Sequence, residues 1–113
     1  MDIDKDLQQK WLAALRSGEY SQTTGVLHDD KGFCCLGVLL DVAGCPWDDN
    51  LTQGEGASYY AAYPETSMEF MYDQYYRVGV LNVFGELAEM NDGGATFQEI
   101  AFHLETVVWK EKP

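Results

Sequence analysis

The 113-residue sequence has the length of one domain, 1–113, and its hydrophobic content of 46% is enough for a core, which argues against disorder. Its formal net charge of −12 opposes direct binding of nucleic acid or of an anionic membrane. We expect a protein of a reducing cytoplasm, since no signal peptide, no apolar run of ~20 residues and no disulfide framework are visible.

The first predicted element is a helix from Asp4 to Ser17. Asp4 is its expected cap, and Gly18 is the expected left-handed residue that ends it. Its apolar residues recur three or four apart, as on one face of a helix: Leu7, Trp11, Ala14 and Leu15.

Two short apolar runs follow, 26–28 and 33–35, on either side of an Asp/Gly-rich turn. This pattern predicts a β-hairpin, which needs helices packed on it because two strands alone are marginal in water. Residues 36–43 are apolar almost all round and predict a buried helix that ends at Gly44.

The remaining elements are less regular. Residues 46–66 predict an irregular connection, and 68–78 fits a helix or an alternating strand, of which we favour the helix. We interpret 46–79 as a variable, acidic and aromatic excursion. A helix is predicted over 81–90, a turn over 91–94, and a last helix after Thr96, whose pairing with Glu99 is a capping box. The sum is an α+β, mainly helical fold with four to five short helices and one small β-hairpin around a single core.

Cys34 and Cys35 are the sharpest chemical feature. A cysteine at a helix N-terminus can be a nucleophile, and His28 on the facing strand gives the hypothesis of a thiol enzyme. Their apolar neighbours favour two small core residues instead. A zinc site would need the set His28, Cys34, Cys35, Cys45 and His103, which lacks paired Cys-x-x-Cys spacing. We therefore expect no catalytic residue, no metal and no cofactor.

The charge distribution points to binding. Residues 41–92 carry ten carboxylates but only one basic residue, Arg77, together with nine aromatic residues. Aromatic rings beside charge of one sign predict an interaction face for a basic partner, although the aromatics could instead fill a second part of the core. The residues that we expect to bind the partner are Asp48, Asp49, Glu55, Tyr59, Tyr63, Glu65, Glu69, Asp73, Tyr75 and Tyr76.

Three stretches resemble a family of small uncharacterised bacteriophage and prophage proteins. They are W-L-A-A-L-R-S-G-E-Y at 11–20, F-C-C-L-G-V-L at 33–39, and L-A-E-M-N-D at 87–92 followed by F-Q-E-I-A at 97–101. The resemblance covers 11–44 and 80–105 and brings no catalytic residues. It implies a viral origin and action in the cytoplasm of a bacterial host.

Three functions are open at this point. The first is a phage-encoded inhibitor of a bacterial nucleic-acid-targeting defence system, such as an anti-CRISPR, that mimics DNA and occupies the basic surface of a host nucleic-acid-binding complex. The second is a sponge for a nucleotide immune signal, with an aromatic pocket formed by Tyr59, Tyr63, Tyr75 and Arg77. The third is the thiol enzyme.

Overall fold

The computed structural model describes residues 3–29, 31–45 and 64–110, with the backbone alone for 29 and 64–68. Along these ranges the chain forms α1 (Lys5–Arg16), β1 (His28–Asp29), β2 (Gly32–Phe33), α2 (Cys35–Val42), α3 (Pro64–Arg77), α4 (Phe84–Asp92) and α5 (Phe97–His103), and α5 continues into a π-helical turn at Leu104–Val108. The predicted class, a mainly helical α+β fold with a single core, is confirmed.

Helix α1 follows its local signals. The Asp4 carboxylate accepts the Leu7 backbone N–H at 2.9 Å, and Gly18 takes a φ of +78° just beyond the C-terminal end. The apolar stripe packs against α2 and α5. Trp11 is fully buried and donates its indole N–H to the Cys35 carbonyl at 2.9 Å, so it fixes α1 to the start of α2.

The hairpin is shorter than predicted. In the hairpin His28 pairs with Phe33 and Asp29 with Gly32, whereas Cys35, a predicted strand residue, is the first residue of α2. Cys34 is the N-cap of α2, and its backbone N–H donates to the Leu27 carbonyl at 2.9 Å. The chain therefore passes directly from the hairpin into a buried helix.

Helix α2 is the centre of the core. Its residues from Cys35 to Leu40 are all buried. At Gly37 the chain passes so close to the preceding segment that an added Cβ would lie 1.9 Å from the Leu27 carbonyl oxygen. Only glycine fits this approach, because real Cβ atoms do not come within 3.0 Å of such an atom.

Helix α3 confirms the helical interpretation of 68–78 and begins earlier, at Pro64. Proline is favoured in the first turn of a helix because its missing N–H would have no intrahelical partner there. Of the predicted excursion 46–79, residues 46–63 lie outside the described residues. Residues 64–79 contribute to the core of the domain, since Tyr75 and Val78 are buried in it.

The last helices are joined by the predicted turn and capping box. Helix α4 runs through Asp92, two residues further than expected, and the turn starts at Gly93. The Thr96 hydroxyl accepts the Glu99 N–H at 3.1 Å and the Glu99 carboxylate accepts the Thr96 N–H at 2.8 Å, which confirms the capping box.

Asn91, which the sequence placed in a turn, is a fully buried connector instead. Its Oδ1 accepts the Cys35 backbone N–H at 3.1 Å and the Gln22 side-chain amide at 2.8 Å, and its Nδ2 donates to the Thr23 carbonyl at 2.8 Å. One side chain thus joins α4, the start of α2 and the segment before the hairpin.

Candidate functional site

On the outer side of α3, carboxylates and tyrosines share a surface. Glu69, Tyr72, Asp73 and Tyr76 are three or four residues apart, which places them on one face of the helix. All four are exposed, Tyr72 to 42% and Tyr76 to 43%. The opposite face of the helix directs Gln74 and Tyr75 into the core.

These side chains surround a shallow depression of about 710 Å³. We call its lining the α3 face: Glu69, Phe70, Tyr72, Asp73, Tyr76 and Leu81. Two contacts fix the α3 face to the residues that follow it. The ring centroids of Tyr72 and Phe84 are 5.9 Å apart, and the Val80 N–H donates to the Tyr75 carbonyl at 2.8 Å. Leu81 is exposed beside Tyr76 and adds apolar surface.

The charge of the α3 face is negative. Glu69 and Asp73 supply two carboxylates, and the described side chains that line the depression include no lysine or arginine. Arg77, one turn further on, is directed to α1: its guanidinium bonds Asp4 at 2.7 Å and Gln74 at 3.1 Å, and lies 4.0 Å from Asp73. The Leu7 N–H and Arg77 both lower the pKa of Asp4, so this contact persists as an ion pair at neutral pH.

The predicted binding residues fall into four groups. Glu69, Asp73 and Tyr76 lie on the α3 face. Tyr75 does not: it is only 1% exposed and its ring stacks on Phe84 at 4.8 Å, so its assignment to the binding surface was wrong. Glu65 belongs to α3, but its side chain is not described. The other predicted residues lie outside the described residues: Asp48, Asp49, Glu55, Tyr59 and Tyr63.

Three residues of the α3 face were not among the predicted binding residues: Phe70, Tyr72 and Leu81. Tyr72 carries a signal that the sequence does offer, since it is four residues before Tyr76 and three after Glu69. Leu81 follows the end of α3, and its place beside Tyr76 depends on the turn at Gly79, where φ is +77°. That contact has no sequence periodicity to indicate it.

Tyr75 cannot line the hypothesised nucleotide pocket, because it is buried. Burial raises the pKa of Tyr75 and keeps its hydroxyl neutral within the core, where it cannot face an incoming ligand. Arg77, the cation that the pocket needs, is engaged with Asp4 and Gln74. Tyr59 and Tyr63 lie outside the described residues.

The cysteine pair behaves as core. Both thiols are buried, and burial raises the pKa of each, which favours the neutral form over the nucleophilic thiolate. The Cys34 sulfur accepts the Gly37 N–H at 3.4 Å, and the Cys35 thiol lies 3.6 Å from the Leu87 carbonyl. The His28 ring stacks on Phe33 at 3.8 Å between centroids, and its Nδ1 is 2.8 Å from the Gly32 carbonyl.

Within the described residues, no group of three or more His, Cys, Asp or Glu side chains could hold a metal ion. Cys45 is buried just after α2, and His103 lies on α5 with Nε2 3.5 Å from Glu86. None of the described helices is both long and apolar enough to cross a membrane.

The chain matches a known protein family along most of its length. A protein-family model covers residues 3–108, nearly the whole chain, and its description is Domain of unknown function (DUF8296). No curated protein and no solved structure matches the chain. The family description names no activity.

Proposed function

We propose that this chain, which belongs to the DUF8296 family, acts by binding a basic surface of another protein through its α3 face. More specifically, we propose a phage-encoded inhibitor of a bacterial nucleic-acid-targeting defence system. It would act in the host cytoplasm by occupying the surface with which the defence complex holds DNA or RNA. The resemblance to bacteriophage and prophage proteins supports the viral and defence-related part of this proposal.

The observation that carries the proposal is the combination of two carboxylates and two exposed tyrosines on one side of α3. A protein surface that binds nucleic acid directs arginine and lysine side chains at the phosphates and at the flat rings of the bases. Carboxylates accept charge-assisted hydrogen bonds from those same side chains, and a tyrosine ring can lie under a guanidinium. The α3 face therefore presents the two kinds of group that a nucleic-acid site recognises, without nucleic acid.

The charge of the whole chain supports the same partner. A net charge of −12 on 113 residues attracts a basic surface over distances comparable with the Debye length and increases the rate of encounter. In the complex, Glu69 and Asp73 would form charge-assisted contacts with the partner, and the tyrosines and Leu81 would add buried apolar area.

The proposal is tested by capture of partners from a bacterial host lysate. We would compare the wild type with Glu69→Lys/Asp73→Lys, which reverses the α3 face, and with Glu19→Lys/Glu89→Lys, which makes the same charge change at exposed positions elsewhere. We expect the wild type and the control to enrich one nucleic-acid-binding complex, and the α3-face variant to lose it. Equal enrichment by all three chains would contradict the proposal.

A second measurement tests the inhibitory part. Expression of the chain in a host that carries the matching defence system should restore plaque formation by a phage that the system otherwise restricts. The α3-face variant should fail to restore it, while the Glu19→Lys/Glu89→Lys control should succeed. Restoration by the α3-face variant would show that inhibition does not use this surface.

A further inference from the structure

A second depression, between α4 and α5, shares no lining residue with the α3 face. It measures about 490 Å³. We call it the α5 groove and define it by Met90, Gln98, Phe102, His103, Thr106 and Val107. It is a candidate for a separate binding event, beyond the proposed function.

The α5 groove exposes apolar side chains that the core does not use. Phe102 is 63% exposed and Val107 is 61% exposed, more than any other large apolar side chain in the described part of the chain. The same helix already gives the core Ile100, Ala101 and Leu104, which are fully buried. Exposed apolar side chains that line one depression are typical of a surface that another protein covers.

The π-helical turn brings Phe102 and Val107 to the same groove. In a regular α-helix, residues five apart point about 140° away from each other. Here the Trp109 N–H donates to the Leu104 carbonyl at 2.8 Å, five residues back, so each turn holds more residues and Val107 rotates toward Phe102. The Thr106 hydroxyl donates to the Phe102 carbonyl at 2.7 Å at this transition. Such π-helical turns occur frequently at functional sites.

The charges around the groove select its occupant. Glu99 also lines it, and the Glu86 carboxylate lies 3.5 Å from His103 Nε2, whereas no lysine or arginine lines it among the described residues. We propose that the α5 groove docks an amphipathic helix of a protein partner, with its apolar side on Phe102 and Val107 and with lysine or arginine beside the glutamates. A second copy of this chain fits poorly, because both copies would bring the net charge of −12.

The test uses a synthetic helical peptide of about four turns, with leucine at i, i+3, i+4 and i+7 and lysine elsewhere. Two matched peptides replace every lysine with glutamate or every leucine with serine. We expect only the leucine–lysine peptide to bind tightly by fluorescence anisotropy. Phe102→Ser/Val107→Ser should weaken this binding by about tenfold or more, since each side chain contributes buried apolar area. Gln9→Ser/Ala13→Ser, at exposed positions of α1 that line neither surface, should leave it within about twofold.

Amide chemical-shift mapping on the wild-type chain keeps the test valid if the groove variant folds poorly. We expect the leucine–lysine peptide to shift residues 98–107 and Met90. Shifts confined to the α3 face would overturn the proposal, as would equal binding of the serine peptide or of the groove variant. A wild-type dimer in sedimentation that Phe102→Ser disperses would also overturn it, because a second copy would then occupy the groove. Failure of the peptide to bind the α5 groove would leave the proposal for the α3 face unchanged, because the two surfaces share no lining residue.

Discussion

Replacing Asn91 with alanine should destabilise the protein more than its position near a turn suggests. The change removes four hydrogen bonds, with the Cys35 N–H, the Gln22 amide, the Thr23 carbonyl and the Asp92 carboxylate, and it leaves the buried Cys35 N–H without the oxygen that satisfies it. Each stranded buried group costs about 1–3 kcal/mol. Gln22 loses less, since its amide also donates to the Ala95 carbonyl at 2.8 Å. Because the groups belong to one network, we expect a total of about 3–5 kcal/mol, and not a simple sum.

Urea unfolding followed by far-ultraviolet circular dichroism measures this loss as a change in midpoint at constant slope. The matched control is Asn82→Ala, which removes the same amide at an exposed position and should change the free energy of unfolding by no more than about 0.5 kcal/mol. A loss below about 1 kcal/mol for Asn91→Ala would refute the view that this side chain holds α2 and α4 together.

Three further predictions concern the scaffold. Gly37→Ala should lower the free energy of unfolding by about 3 kcal/mol or more, because the added Cβ would collide with the Leu27 backbone. The control Gly85→Ala, which has open space around it, should raise the free energy of unfolding by up to about 1 kcal/mol. Similar melting temperatures for the two variants would contradict the packing described. Thr96→Ala should cost about 1 kcal/mol, and adding Glu99→Ala should cost less than the sum, so additivity in a double-mutant cycle would argue against the capping box. The Cys34–Cys35 thiols should resist iodoacetamide at pH 7 in the native state, and rapid alkylation would revive the thiol-enzyme hypothesis. Since burial raises their folded pKa values, the thiols should also make stability fall above about pH 9, where the unfolded thiols ionise first.

Elements with local signals were predictable from the sequence. The Asp4 cap and Gly18 bound α1, and Thr96 with Glu99 marks the start of α5, because each signal satisfies backbone groups within a few residues. The hairpin was predicted too long, because all three residues of the apolar run 33–35 were assigned to its second strand. Cys34 donates to Leu27 and leaves the strand to cap α2, which no pattern within 33–35 indicates.

The candidate site shows the same division. Helical spacing groups Glu69, Asp73 and Tyr76 on one face of α3, and all three were predicted from the sequence to bind the partner. Spacing alone does not say which face of the helix turns to the core, so Tyr75 was assigned to the surface although it stacks on Phe84 inside. That choice is made by α2 and α4, against which the inner side of α3 packs.

The most direct test of the central claim is the dissociation constant of the captured partner as salt rises from about 0.05 to 0.5 M. For binding through the α3 face, the wild-type affinity should fall steeply over this range, and Glu69→Lys/Asp73→Lys should bind weakly even at the lowest salt. The Glu19→Lys/Glu89→Lys control should follow the wild type closely. If the α3-face variant instead matches the wild type at every salt concentration, the carboxylates of α3 serve solubility and the partner binds elsewhere.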